Sequence, residues 1–208
     1  MVGTGEEMLA TNRALESAPR TVELPRAIGS QKVSVYGVRS DAELAGIQEG
    51  LARLDQLNPG LGIPKEIHVR SELGSVENTL ESGNIGGLGG DGRTVILDRA
   101  MLKDPGAVQE TLYHEVGHNL DVQFGDLSEN AGASLFGQGE CVSDYARANA
   151  AEDFAETHRS LIQNWESITE HPELFVDNGT DVGAKYKFIL DKVYGVETEG
   201  PLPMPEGP

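Results

Sequence analysis

The chain contains a single cysteine, Cys141, which excludes an internal disulfide and a zinc–thiolate cluster and is read as a structural thiol. Aromatic residues make up only 5% of the sequence, so Leu, Val, Ile and Ala must fill most of the core. Basic residues are scarce as well: 16 Lys and Arg stand against 34 Asp and Glu, giving a net charge of −18. That balance argues against nucleic acid or an anionic membrane as a partner, and favours solubility and basic substrates. No apolar run approaches the roughly 18 residues of a membrane span. The opening MVGTGEEMLATNRALES lacks the basic and apolar regions of a signal peptide. Secretion or delivery as an effector is nevertheless the expected setting, by means this stretch does not show.

A length of 208 residues suits one domain with a sizeable core. Residues 1–28 carry little periodicity and read as a flexible arm, 29–196 as the folded domain, and 197–208, rich in Pro and Gly, as a disordered tail. QKVSVYGV alternates apolar and polar residues as a strand does, and IPKEIHVR and RTVILD read as further strands. Between the first two, DAELAGIQEGLARLDQL places Leu44, Ile47, Leu51 and Leu54 on one side of a helix.

The pentapeptide His114-Glu115-Val116-Gly117-His118 carries the chemistry. Asp104 as N-cap and Pro105 at the first helical position start a helix expected to run to about Asp121. Val108, Leu112, Val116 and Leu120 recur every four residues and would bury one stripe of it. His114 and His118 then project together from another face, and Glu115 sits about 100° round from His114. Two imidazoles of that spacing bind zinc, while the neighbouring carboxylate reaches the water to be activated. Strands followed by this helix match the upper half of a zincin, with a mostly helical lower lobe completing a cleft. The expected fold is therefore α+β, a small twisted mixed sheet packed on the HExxH helix.

Catalytic zinc takes three protein ligands, so a third must come from elsewhere. The extended metzincin spacing fails, because Asp121 replaces its glycine and Phe124 its last histidine. SDYARANAAEDFAETHRSLIQNW reads as a second helix, with Asn149 as N-cap and Phe154, Leu161 and Trp165 on its buried side. Glu152 and Glu156, and behind them Asp153 or His158, could face the zinc. For Glu152 the alternative is a capping box with Asn149; for Tyr145 alone it is a half-buried aromatic.

Read together with HEVGHNLD, Tyr145, Glu152 and the run EDFAE resemble the catalytic domain of anthrax lethal factor and the related Pro-Pro endopeptidases, which are gluzincin metalloproteases. The resemblance spans roughly Gly92 to Val196, and AKYKFILDKV is similar to the closing helix of the family. It implies Zn2+ held by His114, His118 and Glu152, and a tyrosine facing the site seven positions before the glutamate, here Tyr145 (152 − 145 = 7). Glu115 would be the general base and Tyr145 a hydrogen-bond donor to the oxyanion. Glu156 is the runner-up ligand or an outer partner. Asp121, commonly acidic in the family and 3 × 100° beyond His118 on the helix, would orient an imidazole, unless it is a plain helix-end carboxylate. The chain departs from lethal factor at Asp153, where an aromatic is expected, and substrate preference does not carry over.

The implied activity is a zinc-dependent endopeptidase acting on a protein or peptide substrate, expected as a monomer. The alternative is a non-catalytic zincin-like binding module of a larger toxin or surface protein, against which intact Glu115 and Tyr145 speak. Two glycine-rich matches are set aside. GLGGDG at 87–92 fits G-x-G-x-x-G but precedes a strand instead of joining strand to helix, and GGLGGDG imitates one calcium-binding nonapeptide without a tandem copy. Asn84, Ile85, Gly86, Gly87 and Leu88 instead read as an edge strand, or its flank, to which a peptide substrate adds by β-augmentation. His68 is expected to pack within a strand and His171 to lie in a loop. Asn178-Gly179-Thr180 fits a glycosylation acceptor, and DNGTDVG is a turn that does not complete a calcium loop.

Overall fold

Alternating valines build the centre of the sheet. In β2 (Ser30–Tyr36) Val33 and Val35 are fully buried, while Ser34 between them and Tyr36 after them are partly accessible. The computed structural model describes residues 18–25, 30–71, 87–88, 92–176 and 179–196. β1 (Arg20–Pro25) pairs antiparallel with β2, Val22 opposite Val33, and buries Val22 and Leu24. Residues 20–25 are thus no arm. Their two inward apolar side chains fit the pleat of β2 and extend the sheet by one strand. Residues 1–17 and the expected tail lie outside the described residues.

The chain leaves β2, forms α1 (Asp41–Leu57), and returns as β3 (Glu66–Arg70), parallel to β2. Parallel neighbours require such a crossover. β5 (Thr94–Asp98) pairs parallel with β3, and the two-residue β4 (Gly87–Leu88) pairs antiparallel with β5, giving a mixed sheet of order β1-β2-β3-β5-β4. Ile67, His68 and Val69 are all buried, as befits a central strand covered on both faces. His68 stacks on Tyr36, its register partner, at 4.5 Å; it is a packed strand residue, as expected.

Ser40 caps α1 by accepting from the Glu43 N–H (3.1 Å), and Leu44, Ile47, Leu51 and Leu54 are buried. α2 (Pro105–Gln123) is capped by Asp104, whose Oδ1 accepts from the Gly106 N–H at 2.9 Å. Its four stripe residues, Val108, Leu112, Val116 and Leu120, are at most 1% exposed. The helix outlasts the expected end at Asp121 by two residues. It packs against α1 on one side and along β5 and β4 on another.

Hydrogen-bonded turns follow, with Phe136 buried against Phe154 and Phe188 at ring separations of 5.1 and 5.6 Å. A 3-10 turn (Tyr145–Ala148) leads into α3 (Ala150–Gln163), where the Asn149 Oδ1 accepts from the Glu152 N–H at 2.9 Å. The expected continuation to Trp165 is interrupted: Asn164 closes α3, and Trp165 is a half-buried residue opening α4 (Trp165–Glu170). His171 lies in the link to α5 (Pro172–Phe175). α6 (Asp181–Ile189), capped by Thr180, runs on through a π turn (Leu190–Tyr194) as the closing helix. Asn178 lies outside the described residues. No described helix is long and apolar enough to cross a membrane.

Candidate metal centre

The site begins with a missing side chain. A Cβ on Gly117 would lie 2.8 Å from the Ala155 Cα and 3.2 Å from the His158 Cβ. Any other residue would therefore push α3 off α2. This close approach brings the first two turns of α3 against the histidine face of α2. The glycine within HEVGH is the sequence signal for it, and it is legible only once a second helix is known to cross there.

Three atoms converge at the crossing. His114 Nε2 and His118 Nε2 are 3.1 Å apart, and Glu152 Oε2 lies 3.1 Å from the first and 3.3 Å from the second. These residues form a group that could hold a metal ion. Ligand atoms about 2.0–2.1 Å from a tetrahedral ion stand roughly 3.3 Å from one another, so the triangle has the size of one face of such a shell. Glu152 Oε2 is also buried with no hydrogen bond. Both imidazoles lie within ion-pairing distance of it, yet neither N–H is aligned to donate, an arrangement that a cation bound among the three groups would satisfy. The donor set fits a metal ion.

The surrounding charges are coupled. Burial would lower the His114 pKa, but Glu152, Glu156 and Glu115 around it raise it to about 9. Burial would raise the Glu152 carboxyl, but the two imidazoles hold it at about 2. In the metal-free chain His114 is consequently protonated near neutral pH, and a metal must displace that proton.

Glu156, one turn after Glu152, is not part of the triangle. Its Oε1 accepts from the His114 Nδ1–H at 2.8 Å, which directs the Nε2 lone pair toward the converging atoms. Its Oε2 accepts from Ser143 Oγ (2.5 Å) and from an Arg159 Nη (2.8 Å), and Arg159 also reaches Glu110 at 3.3 Å. Burial would raise the Glu156 carboxyl, but His114, Ser143 and Arg159 pull it down to about 2. Ser143 and Arg159 escape sequence reasoning. Arg159 had a weak signal in its i,i+3 spacing from Glu156; Ser143 had none.

Tyr145 stands at the start of the 3-10 turn with its ring 5.8 Å from that of His114, about half exposed. Burial and the nearby negative charges of Glu152, Glu115 and Glu156 push its hydroxyl up to about 12, which keeps it a proton donor. Glu115 is 4% exposed, and its charge acts on both His114 and Tyr145.

Other sequence candidates sit elsewhere. Asp121 does not orient an imidazole: both its oxygens accept from Ser128, the N–H at 2.7 Å and the hydroxyl at 2.6 Å. It fastens the end of α2 to the following turns. Asp153 does not face the metal position but pairs with Lys185 at 2.7 Å, both fully buried, and accepts from the Gly137 N–H. His158 is also fully buried, bonded to Tyr113 and Tyr194. Gly87 and Leu88 form β4 at the edge of the sheet among the described residues. Asn84, Ile85 and Gly86 lie outside those residues.

No protein-family model matches the chain, and no curated protein matches it in sequence.

Proposed function

We propose that the chain is a zinc-dependent endopeptidase with a zincin-like fold, similar to the lethal factor and Pro-Pro endopeptidase family. The triangle of His114 Nε2, His118 Nε2 and Glu152 Oε2 carries this reading. Nitrogen and oxygen donors in a tetrahedral arrangement with an open position suit catalytic zinc better than a harder cation, which takes more oxygen ligands. Zinc held there supplies a Lewis acid for the scissile carbonyl and lowers the pKa of water toward about 7.

The protein's own groups do the rest. Glu115 accepts the proton of the attacking water and passes it to the leaving amine. Tyr145, kept protonated by burial and by its acidic neighbours, donates a hydrogen bond to the oxyanion as the carbonyl carbon becomes tetrahedral. Glu156 holds His114 in the tautomer that presents Nε2. A peptide adding to the β4 edge would be aligned by main-chain hydrogen bonds, next to the helix α2 that carries the histidines and packs along β4 and β5.

Cleavage of a peptide library by the zinc-loaded protein tests the proposal and reads out the substrate at once. Hydrolysis that Glu115→Gln abolishes is the expected result. A folded, zinc-loaded protein that cleaves nothing in the library, or a Glu115→Gln variant as active as the parent, would overturn it.

A further inference from the structure

His158 lies on α3, two residues after Glu156 and six after Glu152. It is wholly buried, yet polar partners meet both its nitrogens: Nδ1 is 2.8 Å from the Tyr113 carbonyl oxygen and Nε2 is 2.8 Å from the Tyr194 hydroxyl. A carbonyl oxygen can only accept, so Nδ1 carries the proton and Nε2 receives the Tyr194 O–H. A single tautomer thereby joins three elements. They are the α2 residue immediately before His114, the helix bearing Glu152 and Glu156, and the turn that ends the closing helix. Tyr194 is itself fixed, its ring nearly parallel to that of His158 and met edge-on by Trp165 at 4.8 Å.

The anchor sits at a close approach of the two helices, beside Gly117 and Ala155. Small side chains at such a crossing permit close approach but specify register poorly, since they offer little to interlock. Slipping a helix by one residue moves its side chains about 1.5 Å along the axis and roughly 100° around it. Such a slip would carry both carboxylates away from the imidazoles.

We propose that the Tyr194–His158–Tyr113 relay is a positioning device for the metal centre, setting the register of α3 on α2 and so the place of Glu152 and Glu156 against His114 and His118. The inference rests on the reading of His114, His118 and Glu152 as metal ligands. Neither His158 nor Tyr194 touches the reacting atoms; both act through the two glutamates.

Co2+ titration followed by visible absorption tests it, on the full chain and on His158→Leu, His158→Asn and Tyr194→Phe, each checked for folding by circular dichroism. Leucine keeps the volume and loses both hydrogen bonds, while asparagine restores an N–H near the Nδ1 position. We expect His158→Leu to bind Co2+ on the order of 10–100-fold more weakly, with a changed d–d spectrum. Asparagine should recover most of that loss, and Tyr194→Phe should fall between. If His158→Leu does not fold, Tyr194→Phe decides, because it removes one oxygen from a retained ring. A folded His158→Leu or Tyr194→Phe variant with affinity and spectrum within about twofold of the parent overturns the relay while leaving the metal site standing. Failure of the parent chain to bind Co2+ overturns the metal reading and the relay with it.

Discussion

His114 and His158 face each other's helices and are each held at Nδ1 over 2.8 Å, yet they are opposites. His114 donates to a carboxylate and stands among Glu152, Glu156 and Glu115, which raise its pKa to about 9 against the effect of burial. His158 donates to a carbonyl and receives from a hydroxyl; burial dominates and lowers its pKa to about 4. Burial therefore does not distinguish a ligand from a brace. What distinguishes them is the second nitrogen: in His158 it is used by Tyr194, whereas in His114 it points at two other donor atoms.

Removing His114, a proposed ligand, should separate it from His158 most sharply. His114→Ala is expected to lose metal affinity well beyond the roughly 10–100-fold that outer partners cost, and activity with it. Metal content after dialysis checks this, and a variant that retains its metal would make His114 another brace. Next, Glu115→Gln should lower kcat by about 10²–10⁴-fold with metal content unchanged. A parallel loss of metal would show that Glu115 is structural.

The two histidines also predict opposite arms of a stability–pH curve. Between pH 9 and 6.5 the folded metal-free chain holds a proton on His114 that the unfolded chain releases, so stability rises as pH falls. Below pH 6.5 the unfolded chain protonates residue 158 while the folded chain resists until about pH 4, so stability is lost as pH falls further. That acid arm is worth about 3 kcal/mol, and Glu152 and Glu156 add to it only below about pH 4.5. Urea unfolding at several pH values should show a flatter acid arm in His158→Asn, and bound metal should abolish the rise above pH 6.5. An unchanged acid arm in the variant would mean that His158 is not the excluded proton site. Glu156→Gln, which leaves the triangle of ligand atoms intact, should weaken metal binding by roughly 10–100-fold without abolishing it, as measured by chelator competition.

Much of this was legible in advance where local physics decides. The stripe of Val108, Leu112, Val116 and Leu120, opened by Asp104 and Pro105, described α2 because periodicity and capping depend only on neighbours. Glu152 and Glu156 were both named, since they share a helix face. That Glu152 is the one to reach His118 came only from the family resemblance, and the withdrawal of Asp153 and His158 was not legible, because it depends on Lys185 and Tyr194 far along the chain. β1 was missed for a related reason. Val22 and Leu24 alternate, but a six-residue segment ending in Pro25 becomes a strand only when β2 offers it an edge.

His114, His118 and Glu152 are proposed to form one metal shell, with Glu156 outside it. Zinc stoichiometry and affinity, measured by chelator competition on the parent, Glu152→Ala and Glu156→Ala chains, test it most directly. One zinc per parent chain is expected, with a far larger loss of affinity for Glu152→Ala than for Glu156→Ala and some binding left in the latter. A parent chain that takes up no zinc, or a Glu152→Ala chain that binds as the parent does while Glu156→Ala binds none, would contradict it.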